Sequence, residues 1–176
     1  MAAHGPARSP GADAQAAVSA LYQVHAVGLI RLAVVMLGDR AAAEDVVQDA
    51  FAGLYRRWNH VSGKDRALGY VRASVLNGCR TRLRARVRDV RLAAASPGTL
   101  TAASAEQAVL VGEEHAAVLA ALRRLPHRQR EALVLRYYLD LSESEIAASM
   151  GIGRGTVKST TSRALAALGR LLEESQ

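Results

Sequence analysis

The stretch SESEIAASMGIGRGTVKSTTSRALAAL, residues 142–168, opens on a serine with a glutamate three residues later. That S-x-x-E spacing is a capping box, so a helix begins just after Ser142. Ala147, Gly151 and Val157 then follow as in a helix-turn-helix. A small residue stands where two helices touch, a glycine in the turn and an apolar residue in the second helix. Ile146, Met150 and Ile152 fill the other inward positions. On a wheel of the second helix, Val157, Ala164, Leu168 and Leu171 share one side. Thr156, Ser159, Ser162, Arg163 and Arg170 share the other, with Lys158 at the border. Such a short, polar, positive outer face suits a helix lying in the major groove of DNA. A plain helical hairpin with a glycine turn is the ordinary alternative, but it does not account for cap, small residue and polar face together. GIGRG also has the look of a phosphate-binding loop, yet no strand precedes it and no GK[ST] follows.

Working outward, the helical period continues upstream. Pro126 is well placed for the first turn of a helix over PHRQREALVLRYYL. Before it, Ala117, Leu119 and Leu122 mark another helix from Glu113. The stretch 93–112, AAASPGTLTAASAEQAVLVG, holds one charge and a Ser-Pro-Gly, and reads as a flexible linker. Three helices are expected ahead of it. The first runs from Ala16 through Leu21, Val24, Val27, Leu32 and Val35 and ends at Gly38. The second starts near Ala41 and carries Val46, Val47, Ala50, Phe51 and Leu54. After a loop at 59–69 the third spans about Ala67 to Arg91. The expected fold is all-α: a tail at 1–15 read as disordered, one small helical domain at 16–92, the linker at 93–112, and a second helical domain at 113–176.

Composition agrees. Half of the residues are apolar, only seven are aromatic, and alanine and leucine dominate, a mix that favours packed helices over sheets. Net charge is +7, and residues 1–92 carry 14 Lys/Arg against 7 Asp/Glu, so an anionic partner is worth considering. Cys79 is the only cysteine. A disulfide framework and a Cys/His zinc set are both excluded, which fits a reducing cytoplasm. The N-terminus lacks an apolar signal core, and no run of about 18 apolar residues is evident, so membrane insertion is not expected. No paired acid–base constellation stands out and the five histidines are scattered, so neither an enzyme, a metal nor a cofactor is expected.

The charge concentrates in CRTRLRARVRDVR, residues 79–91, with arginine at 80, 82, 84, 86, 88 and 91. Strict alternation suggests a strand with one basic face. On a helical wheel, however, Leu76, Cys79, Leu83, Val87 and Val90 fall together as a continuous apolar stripe. Arg80, Arg84, Arg88 and Arg91 then share a flank with Asn77, while Arg82 and Arg86 point away. Arginines so placed can neutralise phosphates, and asparagine can hydrogen-bond base edges. A solvated basic face is the plain alternative.

Taken together, the chain resembles an extracytoplasmic-function sigma factor, the smallest class of bacterial sigma factor. GDRAAAEDVVQDAFAGLYRRW resembles the family's core-polymerase-binding helix, and ALGYVRASVLNGCRTRLRAR the helix that reads the −10 element. LPHRQREALVLRYYLDLSESEIAASMGIGRGTVKSTTSRALAAL resembles the domain that reads the −35 element. The resemblance implies sigma domain 2 at 16–92 and sigma domain 4 at 113–176. It implies core RNA polymerase and promoter DNA as partners, with an anti-sigma factor left open as a third. By position it places polymerase docking on Asp45, Gln48 and Asp49, which the i, i+3, i+4 spacing sets on one helix face. It assigns −10 contacts to Lys64, Asp65, Arg66, Asn77, Arg80, Arg84 and Arg88, the first three within the loop 61–68 that captures a flipped base. The −35 contacts fall on Arg154, Thr156, Lys158, Ser159 and Arg163. Where the family commonly carries a basic residue after GTVKS, this chain has Thr160-Thr161, so a phosphate contact is expected to be missing. A stand-alone helix-turn-helix regulator is the alternative reading.

Overall fold

Helix α1, Pro10–Leu37, pairs with α2, Arg40–Arg56, across a two-residue turn. Gly38 takes a φ of +69° there, and Asp39 caps α2 by accepting from the Ala42 amide at 3.0 Å. A 3₁₀ turn, Trp58–His60, leads to the long α3, Lys64–Ala94. The second half comprises α4, Glu113–Arg124, and α5, His127–Leu133, which runs into a π-helical turn at Val134–Tyr138. It ends with α6, Glu143–Met150, and α7, Arg154–Glu173. This computed structural model describes residues 10–61, 63–94 and 113–174, with side chains from 13 to 61, at 63, and over 65–89 and 117–174. Among the described residues there is no strand, as an all-α fold requires. Of the expected tail 1–15 and linker 93–112, residues 1–9 and 95–112 lie outside the described residues, while 10–15 belong to α1 and 93–94 to α3.

Three local readings shift. Helix α1 begins at Pro10, not Ala16: proline suits a first helical turn, and Asp13 there complements the helix dipole. Its register also differs. Ala26, Leu29, Leu32, Ala33, Met36 and Leu37 are buried, whereas Val24 and Val27, expected inside, are 73% and 58% exposed. Apolar residues ring α1 on nearly every side, so period alone does not single out the buried face. Helix α3 starts at Lys64, so most of the expected loop 59–69 is helical. The Gly63 carbonyl accepts from the Ala67 amide at 3.1 Å, and Asp65 sits in the first turn.

By length and composition, Asp13–Leu37 would be apolar enough to cross a membrane. In this fold its inward residues pack against α2 and α3. Gly78 allows α3 to approach α2 closely, because a Cβ there would stand 2.7 Å from Cγ1 of Val46. Val46, Val47, Ala50, Phe51 and Leu54 are buried, as the sequence period predicts.

In the second half, Leu125, Leu133 and Ala164 form a small core with Leu122, Ala167, Leu168 and Leu171. The other face of this unit does not stay separate. Ala132, Leu135, Ile146, Met150 and Val157 join one continuous core with Leu76, Cys79 and the residues of α1 and α2. The two helical units are therefore seated on one another, chiefly α6 on α3.

Candidate nucleic-acid interface

The helix-turn-helix is built by α6 and α7. Ser142 accepts from the Glu145 amide at 3.3 Å, and Glu145 accepts in return from the Ser142 amide at 2.9 Å. Gly151 closes α6 in the left-handed conformation, φ +65°, which a side chain would resist. Ile146, Met150 and Val157 are buried at the corner, which fixes α7 against α6. Arg154, Thr156, Lys158, Ser159 and Arg163 all lie exposed on the outer side of α7. Arg163 donates to the Ser159 carbonyl at 3.2 Å, so its guanidinium lies back along the helix. Thr160 is buried and the Thr161 hydroxyl lacks a partner, so this threonine pair faces the protein more than solvent.

Helix α3 sorts its arginines by neighbour. Arg82 reaches Asp45 on α2 at 3.3 Å. Arg86 donates to the Leu37 carbonyl at 2.6 Å and to Asp39 at 3.3 Å. Arg84 and Arg88 extend into solvent along a groove of about 600 Å³, which His127 lines from α5. Burial, and then the charges of Arg128, Arg80, Arg84 and Arg130, hold His127 below its ordinary value. The groove is thus strongly cationic. Asp65 and Arg66 are exposed at the start of α3, and the Lys64 and Arg91 side chains lie outside the described residues.

Arg80 stands apart. It is 9% exposed, and its guanidinium spans Asn77 and Glu131. Nη1 donates to the Asn77 Oδ1 at 2.7 Å, Nε to the Glu131 Oε2 at 3.2 Å, and Nη2 to the Glu131 Oε1. Glu131 itself is wholly buried on α5. Burial pushes its carboxyl above the usual range, while the Arg80 hydrogen bonds pull it back. The sequence reading missed both Glu131 and Arg130, whose guanidinium is also buried, across the two halves. The one trace in the sequence is a glutamate set among apolar positions, with Ala132 next to it and Leu135 four residues on.

On α2, Asp45, Gln48 and Asp49 are exposed together on one face, with Asp45 held by Arg82. This acidic strip and the cationic groove lie on different elements, so the chain presents two chemically opposite surfaces.

The family described as sigma-70 region 2 matches residues 21–89, and sigma-70 region 4 matches residues 115–168. The chain is similar to the ECF RNA polymerase sigma factor SigL of Mycobacterium tuberculosis, 34% identical over 172 residues, covering 94% of this chain and 95% of that protein. It is also 34% identical over 145 residues to the RNA polymerase sigma-E factor of Streptomyces antibioticus, covering 82% of this chain and 78% of the relative. Among solved structures, the sigma factor RpoE in complex with the anti-sigma factor NepR from Bartonella quintana shares the fold. Its TM-score is 0.69 at 23% identity, over 90% of this chain and 99% of that one. CnrH in complex with the cytosolic domain of CnrY has a TM-score of 0.67 at 23% identity, over 94% and 96%. A match to region 2 across the first half does not favour a stand-alone regulator, which would have no use for it. With regions 2 and 4 both present and in order, the chain belongs to the sigma-70 family, as a promoter-recognition factor of the extracytoplasmic-function class.

Proposed function

We propose that the chain docks on core RNA polymerase through Asp45, Gln48 and Asp49 and carries it to promoters by reading two DNA elements. Lys64, Asp65 and Arg66 take part in holding a flipped −10 base; Asn77, Arg80, Arg84 and Arg88 engage the −10 strand and its phosphates. Arg154, Thr156, Lys158, Ser159 and Arg163 engage the −35 duplex. The observation that carries this reading is the exposed polar and basic outer side of α7 on a capped helix-turn-helix. The protein acts by binding, with no reaction of its own, and works in the cytoplasm, where polymerase and chromosome meet. An anti-sigma factor is a further partner, by analogy with the RpoE–NepR and CnrH–CnrY pairs.

Run-off transcription with purified core enzyme, followed by mapping of start sites, tests the reading as a whole. Specific starts that appear only when the chain is added support it; a core enzyme indifferent to the chain overturns it. For the docking face, Gln48→Ala with Asp49→Ala is expected to weaken core binding at least tenfold in a competition assay with helix content unchanged, since charged interface contacts are commonly worth 2 kcal/mol or more, about thirtyfold. Unchanged affinity removes the docking role from α2.

A further inference from the structure

Arg80, Arg82 and Arg86 are each met by a carboxylate, on Glu131, Asp45 and Asp39. Arg84 and Arg88 are not: both are exposed, and among the described residues neither has an acidic partner. They stand four residues apart, so their side chains share one side of α3. Both line the groove of about 600 Å³ between α3 and α5, together with Leu83 and Val87 of α3 and His127 of α5. None of the described residues lining it is a carboxylate. Arg80 lines it too, but its guanidinium is taken by Glu131 and Asn77, so it supplies charge and not free donors. His127 registers the resulting field: after burial, the charges of Arg128, Arg80, Arg84 and Arg130 hold its imidazole below the ordinary value.

The groove is not cationic throughout. Leu83 packs on the core with part of its side chain left outside, and Val87 is 51% exposed. These two are also four residues apart and form an apolar ledge beside the arginines. A face that only neutralises charge has no need of such a ledge. The volume exceeds what one phosphate fills, and it falls within the roughly 300–1,000 Å³ of small-molecule sites. Two unpaired guanidinium forks one turn apart offer planar, paired donors to successive phosphates, and a guanidinium plane can also stack on a base. We infer that the groove between α3 and α5 is a binding site for a nucleoside polyphosphate, with its phosphates across Arg84, Arg88 and His127 and its ribose and base over Leu83 and Val87. His127 belongs to the second helical unit, so the site is assembled by both units and is more than a strip of α3. This ligand goes beyond the proposed function. Where that function also holds, a bound nucleotide and a −10 strand exclude one another, because both need Arg84 and Arg88.

The test uses the full chain at physiological salt. Calorimetric titration with ATP is expected to show one site. Adenosine lacks the charged hydrogen bonds and inorganic tripolyphosphate the apolar contact, so each is expected to bind at least about tenfold more weakly. Arg84→Ala with Arg88→Ala is expected to weaken ATP at least about tenfold. Arg31→Ala with Arg57→Ala removes the same charge from exposed positions elsewhere and is expected to leave the affinity unchanged. In an NMR titration, the His127 imidazole, identified by its loss in His127→Gln, is expected to take up its proton at higher pH with ATP bound, because a neighbouring anion favours the charged form. Tripolyphosphate binding as tightly as ATP, or equal losses from the two arginine pairs, overturns the nucleotide site and leaves diffuse charge. A His127 that ATP does not move overturns the placement against α5. A single-stranded 15-mer that moves His127 at lower concentration than ATP assigns the groove to the strand and overturns the inference. None of these readouts contains polymerase, so failure here is distinct from failure of the run-off test.

Discussion

Arg154 opens α7 between two glycines and is exposed, with Lys158 and Arg163, also exposed, further along the helix. In a helix-turn-helix the first residues of the second helix meet base edges, and later basic residues meet phosphates. Arg154→Ala is therefore expected to cost about 1–3 kcal/mol on the preferred −35 sequence and to relax the preference at one base pair. Lys158→Ala and Arg163→Ala are expected to weaken all sequences alike and to lower the salt slope by about one each. Titrating the full chain against a panel of single-base −35 duplexes separates the two. An equal loss on every duplex makes Arg154 a phosphate anchor.

At the scale of the element, the start of α6 depends on its capping box. Both partners are exposed, and the cap joins residues only three apart. The Ser142 backbone, and then its hydroxyl, hold the Glu145 carboxyl below its ordinary value. A carboxyl lowered on folding contributes stability above its unfolded value of about 4.3 and loses it as pH falls through the folded value. Ser142→Ala is expected to cost about 1 kcal/mol at neutral pH. Urea unfolding followed from pH 7 to below pH 4 should show that gap narrowing on acidification. A gap that stays constant would assign the loss to the serine hydroxyl alone.

For the whole molecule, the arginine run of α3 performs two tasks set by what surrounds it. Arg82 and Arg86 tie α3 to α2 and to the end of α1, whereas Arg84 and Arg88 face solvent. Alanine at 82 and 86 together is expected to reduce stability by up to about 2 kcal/mol, as two surface pairs allow, with little change in the salt dependence of promoter binding. Alanine at 84 and 88 is expected to leave stability within about 0.5 kcal/mol and to lower the salt slope by about two. Unfolding curves and binding across a salt series, measured on the same four-position set, check both halves. Equal effects from the two pairs would mean that the run acts as diffuse charge.

The sequence by itself determined whatever depends on near neighbours along the chain. The capping box at Ser142, the turn at Gly151, the buried stripe of α2 and the conversion of an alternating arginine run into one helix all follow from bonds and contacts within about four residues. The start of α3 was missed because loop-like composition and a first helical turn share the same residues, and the inward face of α1 because that helix is apolar nearly all round. Only the tertiary structure decided that Arg80 would be buried against a carboxylate 51 residues away, whereas Arg82 and Arg86 meet exposed ones. Its helical position placed it with Arg84 and Arg88 on one flank. What separated them was the seating of α6 on α3 and the reach of Glu131 from α5, which leave one arginine buried and the other two exposed. Desolvation depends on which surfaces close over a charge, and no spacing along a helix contains that information.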